Sequence, residues 1–80
     1  MTIHLFARAR ELVERDMIAV DLAPGATVAD LRRRLAVEYP VLAPLLQRSA
    51  LAINDEFADD SMILPPQAEA ALLPPVSGGC

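Results

Sequence analysis

Eighty residues with seven Arg, no Lys, eleven Asp plus Glu, one His and one Cys give a net charge of −4. Ordering them costs on the order of 120 kcal/mol, at roughly 1.5 kcal/mol per residue, which allows one domain and little surplus for a deep private cleft; a carrier or binding module is expected before a self-sufficient enzyme. The acidic balance argues against a nucleic-acid partner, the 54% apolar content excludes a disordered acidic tail, and the short apolar runs fall far below the ~20 residues that cross a bilayer.

Thr2–Ala7 alternates, with Ile3 and Leu5 on one face and Thr2, His4 and Phe6 on the other, and reads as a half-buried strand. Arg8–Glu14 follows as a helical turn or short helix, and its charges at Arg8, Arg10 and Glu11 stand where a secretory signal would be apolar. A single cysteine closes no internal disulfide, and one His with one Cys builds no zinc site. The expected location is therefore the reducing cytoplasm, with no membrane partner.

Met17–Leu22 alternates again, placing Ile18, Val20 and Leu22 on one face, and Pro24-Gly25 ends it with a turn. Thr27 and Asp30 have capping-box spacing at the start of a helix that runs to Tyr39. Val28, Leu31 and Leu35 form its apolar stripe, and Pro40 stops it. Asp30–Arg34 and Arg34–Glu38 have the i,i+4 spacing of flank pairs, so much of Arg32-Arg33-Arg34 reads as a solvated helix face.

Val41–Gln47 reads as a short apolar helix or loop, Leu51–Ile53 as a third strand ended by Asn54-Asp55, and Asp59-Asp60 as a solvated turn. Met62–Leu64 is expected to be a short extended piece closed by Pro65-Pro66, and Ala70–Leu73 a last strand. The order of elements gives an α+β domain in which one principal helix covers a mixed sheet.

The last strand leads into Pro74-Pro75-Val76-Ser77-Gly78-Gly79-Cys80. Two prolines favour extended backbone that joins no sheet ladder, and Gly78-Gly79 are slender enough for a narrow channel. Pro74 to Gly79 can span about 20 Å at ~3.3 Å per residue, enough to present a terminal carboxyl inside another protein. A frayed terminus with no task is the plainer alternative.

LLPPVSGG at Leu72–Gly79 and LFARARE at Leu5–Glu11 resemble the MoaD/ThiS family of ubiquitin-like sulfur carriers. TVADLRRRLAVEYP from Thr27 and INDE at Ile53–Glu56 occupy the expected places, so the resemblance spans nearly the whole chain. It implies a β-grasp domain over residues 1–73 and an extended tail over 74–80. Its strongest likeness is to the small subunit of molybdopterin synthase, which serves molybdenum cofactor biosynthesis.

The resemblance also implies chemistry done by others. An E1-like activating enzyme, using ATP and Mg, adenylates the terminal glycine carboxylate, which is converted to a thiocarboxylate. The large synthase subunit then transfers that sulfur to a pterin precursor. A resting carboxylate is a poor electrophile, whereas an acyl-adenylate carries a good leaving group. This chain binds no cofactor or metal of its own and is not a catalyst alone.

Residue by residue, Gly79 matches the sulfur-bearing glycine, Gly78 its neighbour, and Leu73, Pro74, Pro75, Val76 and Ser77 the arm that docks in the partner. Phe6 and Arg10 match partner-facing positions. The plainer readings are a second core face for Phe6 and a surface ion pair with Glu14 for Arg10. His4 has no nucleophile near it in sequence and is not expected to be catalytic.

Two departures from the family pattern stand out. Pro65–Glu69 replaces an Asp/Gly-rich turn, and Cys80 ties up the Gly79 carboxylate in a peptide bond. Cys80 fits a precursor trimmed by a protease, the product of cysteine capture by a thiocarboxylate, an added terminal thiol, or a redox or metal-binding thiol, although nothing beside it lowers its pKa. Alternative functions are a carrier for thiamine or cysteine sulfur, or a ubiquitin-like modifier conjugated through Gly79. With no Lys in these 80 residues, self-conjugation through lysine side chains is excluded for them.

Overall fold

The computed structural model describes residues 1–73. Strand β1 (Thr2–Leu5) leads into helix α1 (Ala7–Val13), followed by β2 (Met17–Ala19) and the principal helix α2 (Val28–Glu38). A 3₁₀ turn at Pro40–Leu42 and a single helical turn, α3 (Ala43–Leu46), precede β3 (Ala50–Ile53), β4 (Glu56–Phe57) and β5 (Glu69–Leu73).

The strands form one mixed sheet in the order β2-β1-β5-β3-β4. At its centre β1 and β5 run parallel, pairing Thr2 with Glu69 through to Leu5 with Leu72. The other neighbours are antiparallel. Alternation sends Ile3, Leu5, Ile18, Leu51, Ile53, Ala70 and Leu72 to the covered side, where they share one core cluster with Val28, Leu31 and Leu35 of α2. This is the β-grasp architecture expected of the sequence. Each fully buried Leu or Ile contributes roughly 1.5–3 kcal/mol.

The start of α2 is built as its sequence suggests. Thr27 Oγ1 accepts from the Asp30 N–H, and the Asp30 carboxylate accepts from the Thr27 N–H at 2.9 Å, completing a capping box. The expected Arg34–Glu38 pair is present at 2.6 Å. Asp30, however, pairs with Arg33 and not with Arg34, because its carboxylate is already drawn back to the Thr27 backbone.

Arg32 departs from the solvated-face reading. It reaches across to α3 and the loops, donating to the carbonyls of Leu46 (2.5 Å) and Ser49 (2.9 Å) and to Asp60 Oδ1 (2.8 Å). Asp60 is thus a structural acceptor, and its own carbonyl takes the Ala29 N–H. One half-buried guanidinium ties three segments together, satisfying the carbonyl of Leu46 at the end of α3 and that of Ser49 just beyond it.

Strand boundaries shift where pairing runs out. β1 stops at Leu5 because Phe6 and Ala7 turn the chain into α1, with Ala7 at φ 49°. β2 ends at Ala19, beyond which Val20 pairs only with Met1, and Leu22 is half-buried against the core. The fourth strand is Glu56–Phe57, where Asn54 (φ 50°) and Asp55 (φ 70°) make a two-residue hairpin turn. Met62–Leu64 contributes only an isolated bridge, Ile63 to Thr27, against the start of α2.

The Thr27 backbone N–H, and after it the Arg33 side chain, hold the Asp30 carboxyl below its ordinary value of 3.8. A carboxylate whose folded pKa lies below its unfolded one contributes stability that is complete above the unfolded value and is lost as pH falls through the folded value. Asp30→Asn should therefore be less stable than wild type at neutral pH and lose less on acidification. Thermal melts across the acid range check this, and parallel melting curves of the two proteins would contradict it.

Candidate partner-docking face

Only one side of the sheet is covered by α2. The residues that alternate with the core set form the open side: Thr2 and His4 from β1, Met17 and Ala19 from β2, and Ala50 and Ala52 from β3, with Phe57 from β4 and Glu69, Ala71 and Leu73 from β5. Cross-strand pairing places Met17, His4, Ala71, Ala52 and Phe57 in one row across all five strands. Alanines in the middle keep the row flat, while Met17 (52% exposed) and Phe57 (78% exposed) stand at its two edges.

Phe6 continues the alternation of β1 in extended backbone (φ −132°, ψ 159°). Leu5 pairs with Leu72, so Phe6 falls at the level of Leu73, and 46% of its surface is exposed. The core reading of Phe6 is therefore set aside. Phe6 thus stands partly open to solvent where β1 ends.

Arg10 lies on α1 and pairs with Asp16 at 3.3 Å, both side chains largely exposed. The expected Glu14 pairing does not form, since Glu14 turns into the left-handed region to cap α1 with its N–H on the Arg10 carbonyl. The Asp16 carbonyl accepts the Leu5 N–H, so the Arg10–Asp16 pair borders the end of β1 where β5 also ends.

His4 is not isolated: its Nε2 lies 2.7 Å from Glu69 Oε1. The pair edges a depression of about 210 Å³ lined also by Ala52, Asn54, Asp55 and Ala71. A larger hollow of about 380 Å³ lies between Met1, Leu22, Leu64 and Pro66. It sits beside the starts of β1 and β5, at the other end of those strands from Leu73, the last residue before the tail sequence. Among the described residues no three His, Cys, Asp or Glu side chains are grouped to hold a metal, and no helix is long and apolar enough to cross a membrane.

Of the residues singled out in the sequence, Phe6, Arg10 and Leu73 are brought together at one end of the sheet. Pro74, Pro75, Val76, Ser77, Gly78, Gly79 and Cys80 lie outside the described residues. Sequence reasoning passed over Phe57 and Met17. Phe57 could have been found from Asn54-Asp55, since a two-residue turn after Ile53 puts Phe57 opposite Ala52 on the uncovered side.

The family model for the ThiS family matches residues 3–79. The chain belongs to the ThiS family. It is 36% identical over 75 residues to the molybdopterin synthase sulfur carrier subunit of Arabidopsis thaliana, covering 94% of this chain and 78% of that protein. It is 38% identical over 78 residues to the protein of the same name from Dictyostelium discoideum, covering 94% and 91%. The crystal structure of SAMP1 from Haloferax volcanii superimposes with a TM-score of 0.83 at 29% identity, covering 98% of this chain and 97% of that one. Membership of the ThiS family accounts for both the ubiquitin-like β-grasp fold and the pattern of the C-terminal sequence.

If Phe57 belongs to a docking face and not to the core, its truncation is cheap for folding. Phe57→Ala should shift unfolding free energy by less than about 0.5 kcal/mol, whereas Leu51→Ala, one strand away on the covered side, should cost about 2–5 kcal/mol. Urea titrations of the two variants decide this, and comparable losses would return Phe57 to the core.

Proposed function

We propose that this chain is the sulfur carrier subunit of a molybdopterin synthase, acting through its C-terminal Gly79. The observation that carries the reading is the flat row on the open sheet face, apolar except for His4, which runs through the strand whose last residue, Leu73, leads in sequence to Pro74–Gly79. Relatives 30–38% identical over most of their length bear that name, which supports both the function and an assembly with a large synthase subunit.

In this reading a protease first removes Cys80 and frees the Gly79 carboxylate. On an E1-like adenylating enzyme, one carboxylate oxygen attacks the α-phosphorus of ATP, pyrophosphate leaves, and Mg held with the nucleotide offsets its negative charge. Hydrosulfide, released by a sulfur donor, then attacks the acyl carbon, the C–O bond to AMP breaks, and loss of the proton leaves the thiocarboxylate. Pro74, Pro75, Val76, Ser77 and Gly78 form the arm that carries it into the large subunit, while Phe6, Arg10, Phe57 and Leu73 dock the domain. The carrier contributes reach and recognition, and its partners contribute the catalytic groups.

A second reading, conjugation to other proteins through Gly79, draws on the likeness to SAMP1, a small archaeal modifier protein. The two readings share the docking face and differ in what takes the activated glycine.

Pull-down and titration with the large synthase subunit from the same genome test the proposal. Wild type should bind, and Phe6→Ala and Phe57→Ala should each weaken binding by roughly tenfold or more, as anchors worth at least ~1.4 kcal/mol do, with melting temperature nearly unchanged. Absence of binding to that subunit, with binding to a thiazole-forming enzyme or transfer onto protein lysines, would move the function to one of the alternatives.

A further inference from the structure

An ion-pairing couple stands inside the docking face. His4 lies in the cross-strand row between Met17 and Ala71, and Glu69 lies one residue pair away on β5, opposite Thr2. Their side chains are 35% and 67% exposed, with Nε2 and Oε1 2.7 Å apart. Glu69 is fixed in place by its backbone, whose N–H donates to Asn54 Oδ1 (3.1 Å) and whose carbonyl accepts the Asn54 N–H (2.9 Å).

The charges around the imidazole are mostly negative. From the β3–β4 turn, Asp55 lines the same depression as His4 and Glu69, and no Arg lines it. From β2 the residue opposite His4 is Met17. The neighbouring Asp16 and the Arg10 of α1 are engaged with each other. The helix α2 lies on the other side of the sheet and presents none of its charges to this depression.

While the face is open to water, such a pair contributes little. Covering it changes the balance. A carboxylate stripped of water without a counter-charge is strongly disfavoured, and its attraction to a nearby cation grows as the effective dielectric falls. A neutral imidazole can donate a hydrogen bond to Glu69 but leaves the charge uncompensated. An imidazolium does both, and imidazole is the side chain that gains a proton near neutral pH.

We propose that docking on this face is proton-linked through the His4–Glu69 pair: covering the face draws a proton onto His4, so affinity for the partner falls as pH rises. This rests on the docking reading above and adds His4 to it as a positioning residue, one that fixes the Glu69 carboxylate within the buried footprint. A site that binds more protons in the complex than in the free chain strengthens binding on the acid side and weakens it on the alkaline side.

Calorimetric titration of the full chain into the large synthase subunit, in two buffers of different ionisation enthalpy, reads the proton directly. Wild type should take up a fraction of a proton near neutral pH, and its affinity should fall by up to about tenfold per pH unit above the imidazole range. His4→Gln, which keeps a hydrogen-bond donor but not the charge, and Glu69→Gln should both bind without proton uptake and with a flat pH profile. Wild-type binding with no proton uptake, or a His4→Gln variant with the wild-type pH profile, overturns the inference while leaving the docking reading intact. No binding by wild type overturns both.

Discussion

The parallel pairing of β1 with β5 is the constraint on which the rest of the structure depends. It joins Thr2–Leu5 to Glu69–Leu72, residues 67 apart in sequence. Closing so long a loop costs about 4 kcal/mol beyond a constant, by the logarithmic scaling of loop entropy. The opposing terms are local to the pairing: the strand ladder itself and the burial of Ile3, Leu5, Ala70 and Leu72 against α2, each no more than 2% exposed. Because the pairing is central, the first and last strands are locked together and β3 and β2 add to either side. It also sets Phe6, next after β1, level with Leu73, at the end of β5, so Phe6 and the last residue before the tail sequence share one end of the sheet.

The same pairing divides labour between two faces. Alternation gives α2 a tight aliphatic layer and leaves the opposite side to alanines edged by Phe57 and Met17. Phe57 and Met17 stand open to water at the edges of that face and so contribute little to folding; in the proposed function they serve docking. Small residues in the middle let a partner surface approach closely. A carrier of 80 residues has no room for a catalytic cleft and needs none if its reactive group is its own end and its recognition element is half of a sheet.

Much of this was legible in the sequence. Ile3 and Leu5, Ile18 and Val20, and Val28, Leu31 and Leu35 fall on the core side as their periodicity requires. The Thr27–Asp30 box forms as written, since both partners lie within one turn. What was not legible depends on contacts distant in sequence. Arg32 looks like one of three similar arginines, and only the fold shows that it reaches Leu46, Ser49 and Asp60. Glu56–Phe57 is too short to show alternation, so periodicity does not reveal β4, whereas Met62–Leu64 reads as extended yet makes only an isolated bridge. The His4–Glu69 pair spans 65 residues and follows only from the parallel register. The tail residues carried the strongest sequence signal, through a family pattern and not through periodicity.

Whether Gly79 becomes the sulfur-bearing end of this chain is read from the intact mass of the protein recovered from its own cells in complex with the large synthase subunit. The expected species ends at Gly79, with Cys80 removed, carries the increment of one oxygen-to-sulfur exchange, and loses it when the precursor is supplied. Recovery of only the full-length, Cys80-terminated chain from cells that are making the cofactor would contradict it.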